Sequence, residues 1–497
     1  MADIQREMLI SHDPNETRVA LLEDRKLVEL YIERPKRSVV GNVYLGKVKD
    51  VLPGMQAAFV DIGLEKNAFL YVDEVIAPEG VEDLPRRDIQ ALLKGGQQIM
   101  VQVLKDPMGT KGARVTTEIT LPGRFLVLMP FSQFVGVSRK IGEPERDRLH
   151  DIVAPHVPDG LGVIVRTVAV GVSEKDLVSD MEFLLRLWKR VGHQAHEGLA
   201  PEIVYTEMDL ALRLVRDVFS DRFKCLSIDD KTLYDKVVSF MKKTSPQLTK
   251  RVSLYKDRTP LFEAHNLQPS IDSALRRSVD LPSGGHIIID ITEALVAIDV
   301  NTGRYVGKRN LEDTILRTNL EAADEVVRQL RLRDIGGIIV IDFIDMEDKF
   351  HRAELMQRLQ RALEHDRTRT RVTEISRLGL VEMTRKNVTD GIYDILTESC
   401  PCCGGDGRVL APSTRRIAVE RRMREILLSG RSAAYLFGLN PETYDLVMAP
   451  GQNVVPGLRS ATGKQVAIVP DDDAEPTEVR VLIEGRTGVL KRATDER

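Results

Sequence analysis

Short runs of aliphatic and β-branched residues, broken by Gly, Pro and charged turns, fill the first quarter of this chain. Runs at 17–22 and 26–32, parted by a polar turn, predict strands too few to fold alone. Pro35-Lys36-Arg37-Ser38 then marks a boundary. Over 39–117, further runs at 43–48, 58–63, 68–72 and 98–103 suggest about five strands and a small closed barrel of the OB type. Residues 118–211 mix strands, notably 161–166, with a helix opening at Ser173. There Leu177, Met181, Leu184, Leu185 and Trp188 recur at helical spacing and read as core. A helix-rich stretch, 212–275, follows. From Pro282-Ser283-Gly284-Gly285 the pattern becomes strands at 286–290 and 294–300, a long helix over about 311–333, a strand reaching Asp342 and a helix over roughly 349–365. That is α/β order, in which sites gather at the ends of strands. A basic helix over 411–430 and short strands around Asp471-Asp472-Asp473 complete the pattern.

At 497 residues the chain exceeds one hydrophobic core, so several subdomains of roughly 100–150 residues are expected. The composition, 42% hydrophobic and 29% charged, is that of a soluble globular protein, without an apolar run near the roughly 20 residues of a membrane-spanning helix. The start, Met-Ala-Asp-Ile-Gln-Arg-Glu, lacks the basic and apolar regions of a secretory signal, and a cytoplasmic location is expected. Four cysteines, three crowded at Cys400, Cys402 and Cys403, read as reduced thiols open to a metal rather than as a disulfide framework. A net charge of −4 argues against wholesale coating of nucleic acid but permits local basic surfaces. Two such clusters occur, Arg361, Arg367, Arg369, Arg371 and Arg377, and Lys242, Lys243, Lys250, Arg251 and Lys256; either alone reads as a solvated face.

Chemistry concentrates where two β-rich runs end in carboxylates, Ala297-Ile298-Asp299-Val300-Asn301 and Val340-Ile341-Asp342-Phe343-Ile344-Asp345. Turn carboxylates would explain either alone. As a pair, emerging at the edge of one sheet, Asp299 and Asp342 would suit Mg²⁺, an octahedral ion that takes a few carboxylate oxygens and keeps its waters. No His cluster suggests catalytic zinc. In the barrel block, Phe59 and Phe69 are either core or base-stacking rings beside Lys47, Lys105 and Lys111.

The segments Asn319-Leu320-Glu321-Ala322-Ala323-Asp324-Glu325, Gln329-Leu330-Arg331-Leu332-Arg333-Asp334, Ile341-Asp342-Phe343-Ile344-Asp345-Met346 and Cys400-Pro401-Cys402-Cys403 carry a specific resemblance. Nearly full length, the chain resembles the bacterial endoribonucleases of the ribonuclease E/G family, and its length is similar to that of the ribonuclease G branch. The resemblance implies an α/β multidomain protein: an RNase H-like subdomain split between 1–38 and 212–275, an S1-motif OB-fold barrel over 39–117, a 5′-sensor subdomain over 118–211, a DNase I-like catalytic subdomain over 276–397, a zinc link over 398–410 and a small C-terminal domain over 411–497. It implies Mg²⁺ on Asp299 and Asp342, with Asn301 beside the metal and the scissile phosphate. It also implies RNA contacts at Phe59, Phe69 and Lys111, the last within Thr110-Lys111-Gly112, and a pocket for a 5′-monophosphate from Gly123, Val127, Arg166, Thr167 and Arg369. For the two arginines an ordinary pairing with a carboxylate is the alternative. Cys400 and Cys403 match the family's zinc-link cysteines. Because one Cys-x-x-Cys supplies two of the four ligands zinc wants, two copies would meet in a homodimer, with a homotetramer also open. Cys402 departs from the family pattern, either as a competing ligand or as a free thiol. The expected activity is single-strand-specific cleavage of RNA to 5′-phosphate and 3′-hydroxyl ends in RNA processing and mRNA decay. A non-catalytic RNA-binding protein and a DNA or phosphomonoester hydrolase are the rivals.

Overall fold

A computed structural model describes residues 4–34, 38–76, 88–107, 111–303, 311–376, 378–386, 391–451 and 453–487. The boundary at Pro35, Lys36 and Arg37, together with Thr110 and Arg377, lies outside the described residues. The chain divides into two compact units, 1–396 and 397–497.

Why the N-terminal strands are stable is answered by residues 200 positions away. Strands Arg6–Asp13, Glu16–Glu23 and Lys26–Glu33 form an antiparallel set, and Arg6–Asp13 pairs in parallel with Phe223–Ile228, which in turn pairs with Val252–Leu254. The stretch expected to be helix-rich therefore supplies two strands as well as helices Leu210–Asp217 and Lys231–Thr244. These helices bury Leu214, Val215, Val237 and Met241 against Met8, Ile10 and Val19. The two strands escaped the hydrophobic pattern because they are short, six and three residues, and flanked by charge.

A closed five-stranded barrel of OB type follows, as expected. Strands Val43–Leu52, Ala57–Asp61, Ala68–Tyr71, Arg114–Thr116 and Gln98–Lys105 pair in that order, and Gln98–Lys105 pairs back onto Val43–Leu52 to close the ring. Next come a four-stranded sheet, containing Leu126–Met129 and Gly162–Val165, and helix Glu174–Glu197. Ser173 caps that helix, its hydroxyl accepting from the Asp176 amide. Leu177, Met181 and Leu184 are buried on the sheet, with Leu185 and Trp188 partly so.

The third sheet carries the paired aspartates. Its order is Ser278–Asp280, His286–Ile291, Val296–Asn301, Gly337–Asp342, Leu380–Arg385 and Thr370–Val372, and its one parallel pair is the central one. Helices Leu311–Leu332 and Lys349–Leu363 cover one face, burying Ala322, Val326, Leu330, Leu355 and Leu359 against Ile298, Val300, Ile339 and Ile341.

In the second unit, strand Ala434–Leu439 is buried along its whole length between parallel Gln465–Pro470 and antiparallel Arg480–Gly485. Helix Pro412–Ser429 packs Val419, Met423 and Leu427 into the same core. Among the described residues, no helix is long and apolar enough to cross a membrane.

Candidate active site and RNA-binding surfaces

Alternation decides where the aspartates point. Along Val296–Asn301 the residues Val296, Ile298 and Val300 are buried under the helices, so Ala297, Asp299 and Asn301 share the opposite, open face. Asp342 ends its strand in the same way, between buried Ile341 and Phe343. In the parallel ladder Asp299 and Asp342 are direct partners, and neighbouring strands lie only about 4.8 Å apart. The two strands are the central pair of six, so the carboxylates stand at the strand ends in the middle of the sheet. Asn301 donates from Nδ2 to Asp299 Oδ2 at 2.8 Å and fixes that carboxylate. Partial burial, then the charges of Asp299 and Asp345, push the Asp342 carboxyl above the usual range. Exposed carboxylates that repel one another across adjacent strands are a donor set a hard divalent cation would relieve, so these residues fit Mg²⁺. Among the described residues, no cluster of three or more His, Cys, Asp or Glu side chains forms a denser metal site.

Two features outside the expected set shape this strand end. Asn319, fully buried on helix Leu311–Leu332, donates from Nδ2 to the Ile344 carbonyl at 2.8 Å and accepts from the Ile344 amide at 3.1 Å. It thereby fixes the chain two residues beyond Asp342. Gly303, at φ +60°, lies so close to the 284–285 turn that a Cβ there would stand 2.5 Å from the Gly284 carbonyl oxygen.

Phe59 and Phe69 are cross-strand partners in the barrel, with ring centroids 6.0 Å apart in an edge-to-face arrangement. Their neighbours Ala58, Val60, Ala68 and Leu70 are fully buried, whereas both rings are only half-buried. The alternation therefore turns the rings outward, against the core alternative. Exposed Lys111 lies two residues before Ala113, whose carbonyl accepts from the Phe69 amide at 2.7 Å.

Gly123, Val127, Arg166 and Thr167 gather in the four-stranded sheet. The Arg166 amide donates to the Phe125 carbonyl at 2.8 Å, its Nη1 donates to the Gly123 carbonyl at 2.8 Å, and Val127 pairs with Ile164 beside it. Thr167 follows as an exposed residue. Arg166 Nη1 also forms an ion pair with Asp217 at 2.7 Å, so the ordinary carboxylate partner exists, while a guanidinium's five N–H groups allow a second anion. The loop is held from below by Asp180, nearly buried on helix Glu174–Glu197. It accepts from the amides of Arg124, Phe125 and Leu126 at 3.1, 2.8 and 3.0 Å. A Cβ at Gly123 would stand 2.6 Å from that carboxylate. The Arg369 guanidinium is exposed. Its segment meets this subdomain where Lys140 Nζ donates to the Arg367 carbonyl at 3.0 Å.

Sequence reasoning gave Asn319 and Asp180 no role, yet each left a signal. Both are polar residues within an apolar helical stripe, Asn319 with Ala322, Ala323 and Val326, Asp180 with Leu177, Met181 and Leu184.

In the second unit Cys400 and Cys402 are exposed and Cys403 partly so. The backbone amides of Cys403 and Cys402 hold the Cys400 thiol below the usual thiol range, and the Gly407 amide donates to Cys403 Sγ at 3.3 Å. N–H donors aimed at the Cys400 sulfur favour its thiolate, the form in which a cysteine ligates a metal; one chain offers this turn as two ligands rather than four.

The model described as "Ribonuclease E/G family" matches residues 120–388, the stretch that holds the paired aspartates. The chain belongs to that family. It is 41% identical to ribonuclease G of Salmonella typhimurium over 470 residues, 93% of this chain and 96% of that protein. With ribonuclease G of Escherichia coli K12 the identity is 42% over the same shares. Ribonuclease E of Haemophilus influenzae is 39% identical over 428 residues, 85% of this chain but 46% of that protein.

Proposed function

We propose that the open face at Asp299 and Asp342 is the cleavage centre of a Mg²⁺-dependent, single-strand-specific endoribonuclease. As a member of the ribonuclease E/G family the chain is an endoribonuclease, a hydrolase of RNA phosphodiester bonds acting in RNA processing and mRNA decay. The observation that carries the site is the direct pairing of Asp299 with Asp342, with Asn301 bonded to the first. When bound, Mg²⁺ would polarise a phosphoryl oxygen and provide an activated water for in-line attack, leaving 5′-phosphate and 3′-hydroxyl ends. Asp299 and Asp342 supply the oxygens that hold it, and Asn301 keeps Asp299 oriented. Phe59 and Phe69 stack unpaired bases and Lys111 contacts the strand, a mode that needs exposed rings and so selects single-stranded RNA.

The four-stranded sheet serves as a 5′ sensor. A terminal monophosphate dianion takes the forked guanidinium of Arg166, the Thr167 hydroxyl and the loop of Gly123 and Val127, with Arg369 completing the pocket. The strand order of the first sheet supports an RNase H-like subdomain over 1–38 and 212–275, and the two-helix-covered sheet a DNase I-like subdomain over 276–397. Cys400 and Cys403 join the same pair of a second copy around Zn²⁺, giving a homodimer. The protein works in the cytoplasm.

A mass-resolved digest of a defined 5′-monophosphorylated RNA tests substrate, metal and product together. Fragments with 5′-phosphate and 3′-hydroxyl ends are expected only with Mg²⁺. Equal cleavage of the matching DNA, or undiminished cleavage in chelator, would overturn the reading.

A further inference from the structure

Among the described arginines of the cluster, Arg367 bonds a buried carboxylate although its own side chain stays partly exposed, and its surroundings tie three subdomains together. Its Nη2 bonds the Glu29 carboxylate and lies 2.8 Å from the Tyr31 hydroxyl. Glu29, nearly fully buried, also accepts from Arg331 Nη2 at 2.9 Å and from the Tyr31 hydroxyl at 2.8 Å. Arg331 belongs to helix Leu311–Leu332, which carries Asn319. The main chain of the same segment is fastened as well. Lys140, in the turn that follows strand Val135–Val137 of the four-stranded sheet, donates to the Arg367 carbonyl, and the Lys386 amide donates to the Arg369 carbonyl at 3.0 Å. Asp366, one residue earlier, pairs with buried Arg385 at 2.8 Å, and Arg385 ends the strand that neighbours Asp342.

An exposed arginine on an untethered loop loses chain entropy when it closes on a phosphate. One whose backbone is already fixed loses less, and the difference appears in binding. We propose that Arg367 is a positioning residue for end recognition: clamped between Glu29 and Lys140, it holds the 366–369 segment so that Arg369 is presented, ordered in advance, to the terminal phosphate of RNA. This rests on the reading of Gly123, Val127, Arg166, Thr167 and Arg369 as a phosphate pocket. Arg367 acts in this arrangement by anchoring the segment through Nη2, which Glu29 and Tyr31 engage.

The test uses the full chain and two RNAs identical but for a 5′-monophosphate or 5′-hydroxyl end. Arg367→Met keeps the apolar stem and leaves Glu29 with Arg331 and Tyr31, so the buried charge stays paired. Lys140→Met loosens the segment from the other side. Each variant is expected to raise KM for the monophosphorylated RNA about three- to tenfold, with kcat and both constants for the hydroxyl RNA within about twofold; Arg367→Lys should restore part of the loss. A KM preference unchanged in both variants overturns the positioning role alone. Equal loss on the two RNAs, with a lowered melting temperature, overturns it in favour of a purely structural clamp. Wild-type protein that cleaves both RNAs equally removes the pocket itself and the proposal with it.

Discussion

Asn319 holds Ile344 by both main-chain groups, its amide donating to the carbonyl and accepting from the amide of one residue two positions past Asp342. The cleft end of the strand is thus fixed by a helix side chain rather than by the ladder, which stops at Asp342. Asn319→Ala leaves two buried backbone groups without that partner, a loss of about 1–3 kcal/mol. It also frees the 343–345 segment. The expected result is a fall in kcat of about 10- to 100-fold with KM little changed, measured alongside the melting temperature. A variant that is destabilised but cleaves at the wild-type rate would show the clamp to be structural only.

The aspartates themselves should separate binding from cutting. Asp299→Asn or Asp342→Asn keeps the shape of the open face but removes a charge the metal needs. RNA affinity should stay within about threefold while cleavage drops by more than about 100-fold. Gel-shift and single-turnover measurements on one protein preparation check this, and an active variant would relocate the metal.

Much of this arrangement was legible in the chain. Runs of β-branched residues ending at Asp299 and Asp342 place carboxylates at strand ends, and helical spacing around Leu177 gives the helix that Ser173 caps. What stayed hidden is non-local. The partnership of Arg6–Asp13 with Phe223–Ile228 spans some 200 residues, and no local period encodes it. Nor does spacing reveal that the aspartates lie mid-sheet, because the order of strands is set by packing and not by succession. Asn319 and Asp180 were visible as polar intrusions into apolar stripes, yet only the fold says which backbone groups they hold. For Phe59 and Phe69 the pattern alone left core and surface in balance, and the full burial of Ala58, Val60, Ala68 and Leu70 on the other parity decided it.

Because those rings face outward, removing them should leave the barrel intact. Phe59→Ala and Phe69→Ala are each expected to weaken single-stranded RNA binding by about 1–3 kcal/mol, with the melting temperature nearly unchanged. Lys111→Ala should reduce the salt dependence of binding by roughly one phosphate contact. Fluorescence anisotropy across a salt series reads both effects; a barrel that unfolds on loss of one ring would return the pair to the core.

For the cysteine knuckle, the sulfurs that receive backbone N–H groups are Cys400 and Cys403. Replacing either with Ser should release zinc and lower the mass seen by light scattering, whereas Cys402→Ser should leave both unchanged. Chelation should mimic the first pair of variants. If mass stays constant on metal loss, the subunits associate through another surface.

Glu29 predicts a pH signature. Burial alone would raise its pKa, but Arg367, Arg331 and the Tyr31 hydroxyl outweigh burial and hold it below the ordinary carboxylate range. A group whose pKa is lower folded than unfolded contributes stability that is complete above the unfolded value, about 4.3, and disappears as pH falls through the folded value. Glu29→Gln should therefore destabilise the protein at pH 7, by about 3 kcal/mol if the site behaves as other broken buried pairs do. Below the unfolded value the gap should narrow as pH falls, because the unfolded wild-type carboxylate then takes up a proton that the folded one resists. Glu23, held low by Arg331 and Arg6 against its own burial, shares Arg331 with Glu29, so its titration belongs to the same network. Urea unfolding at a series of pH values measures the gap directly, and a gap that is constant from pH 7 to pH 3 would mean that Glu29 contributes by packing and hydrogen bonding rather than by charge.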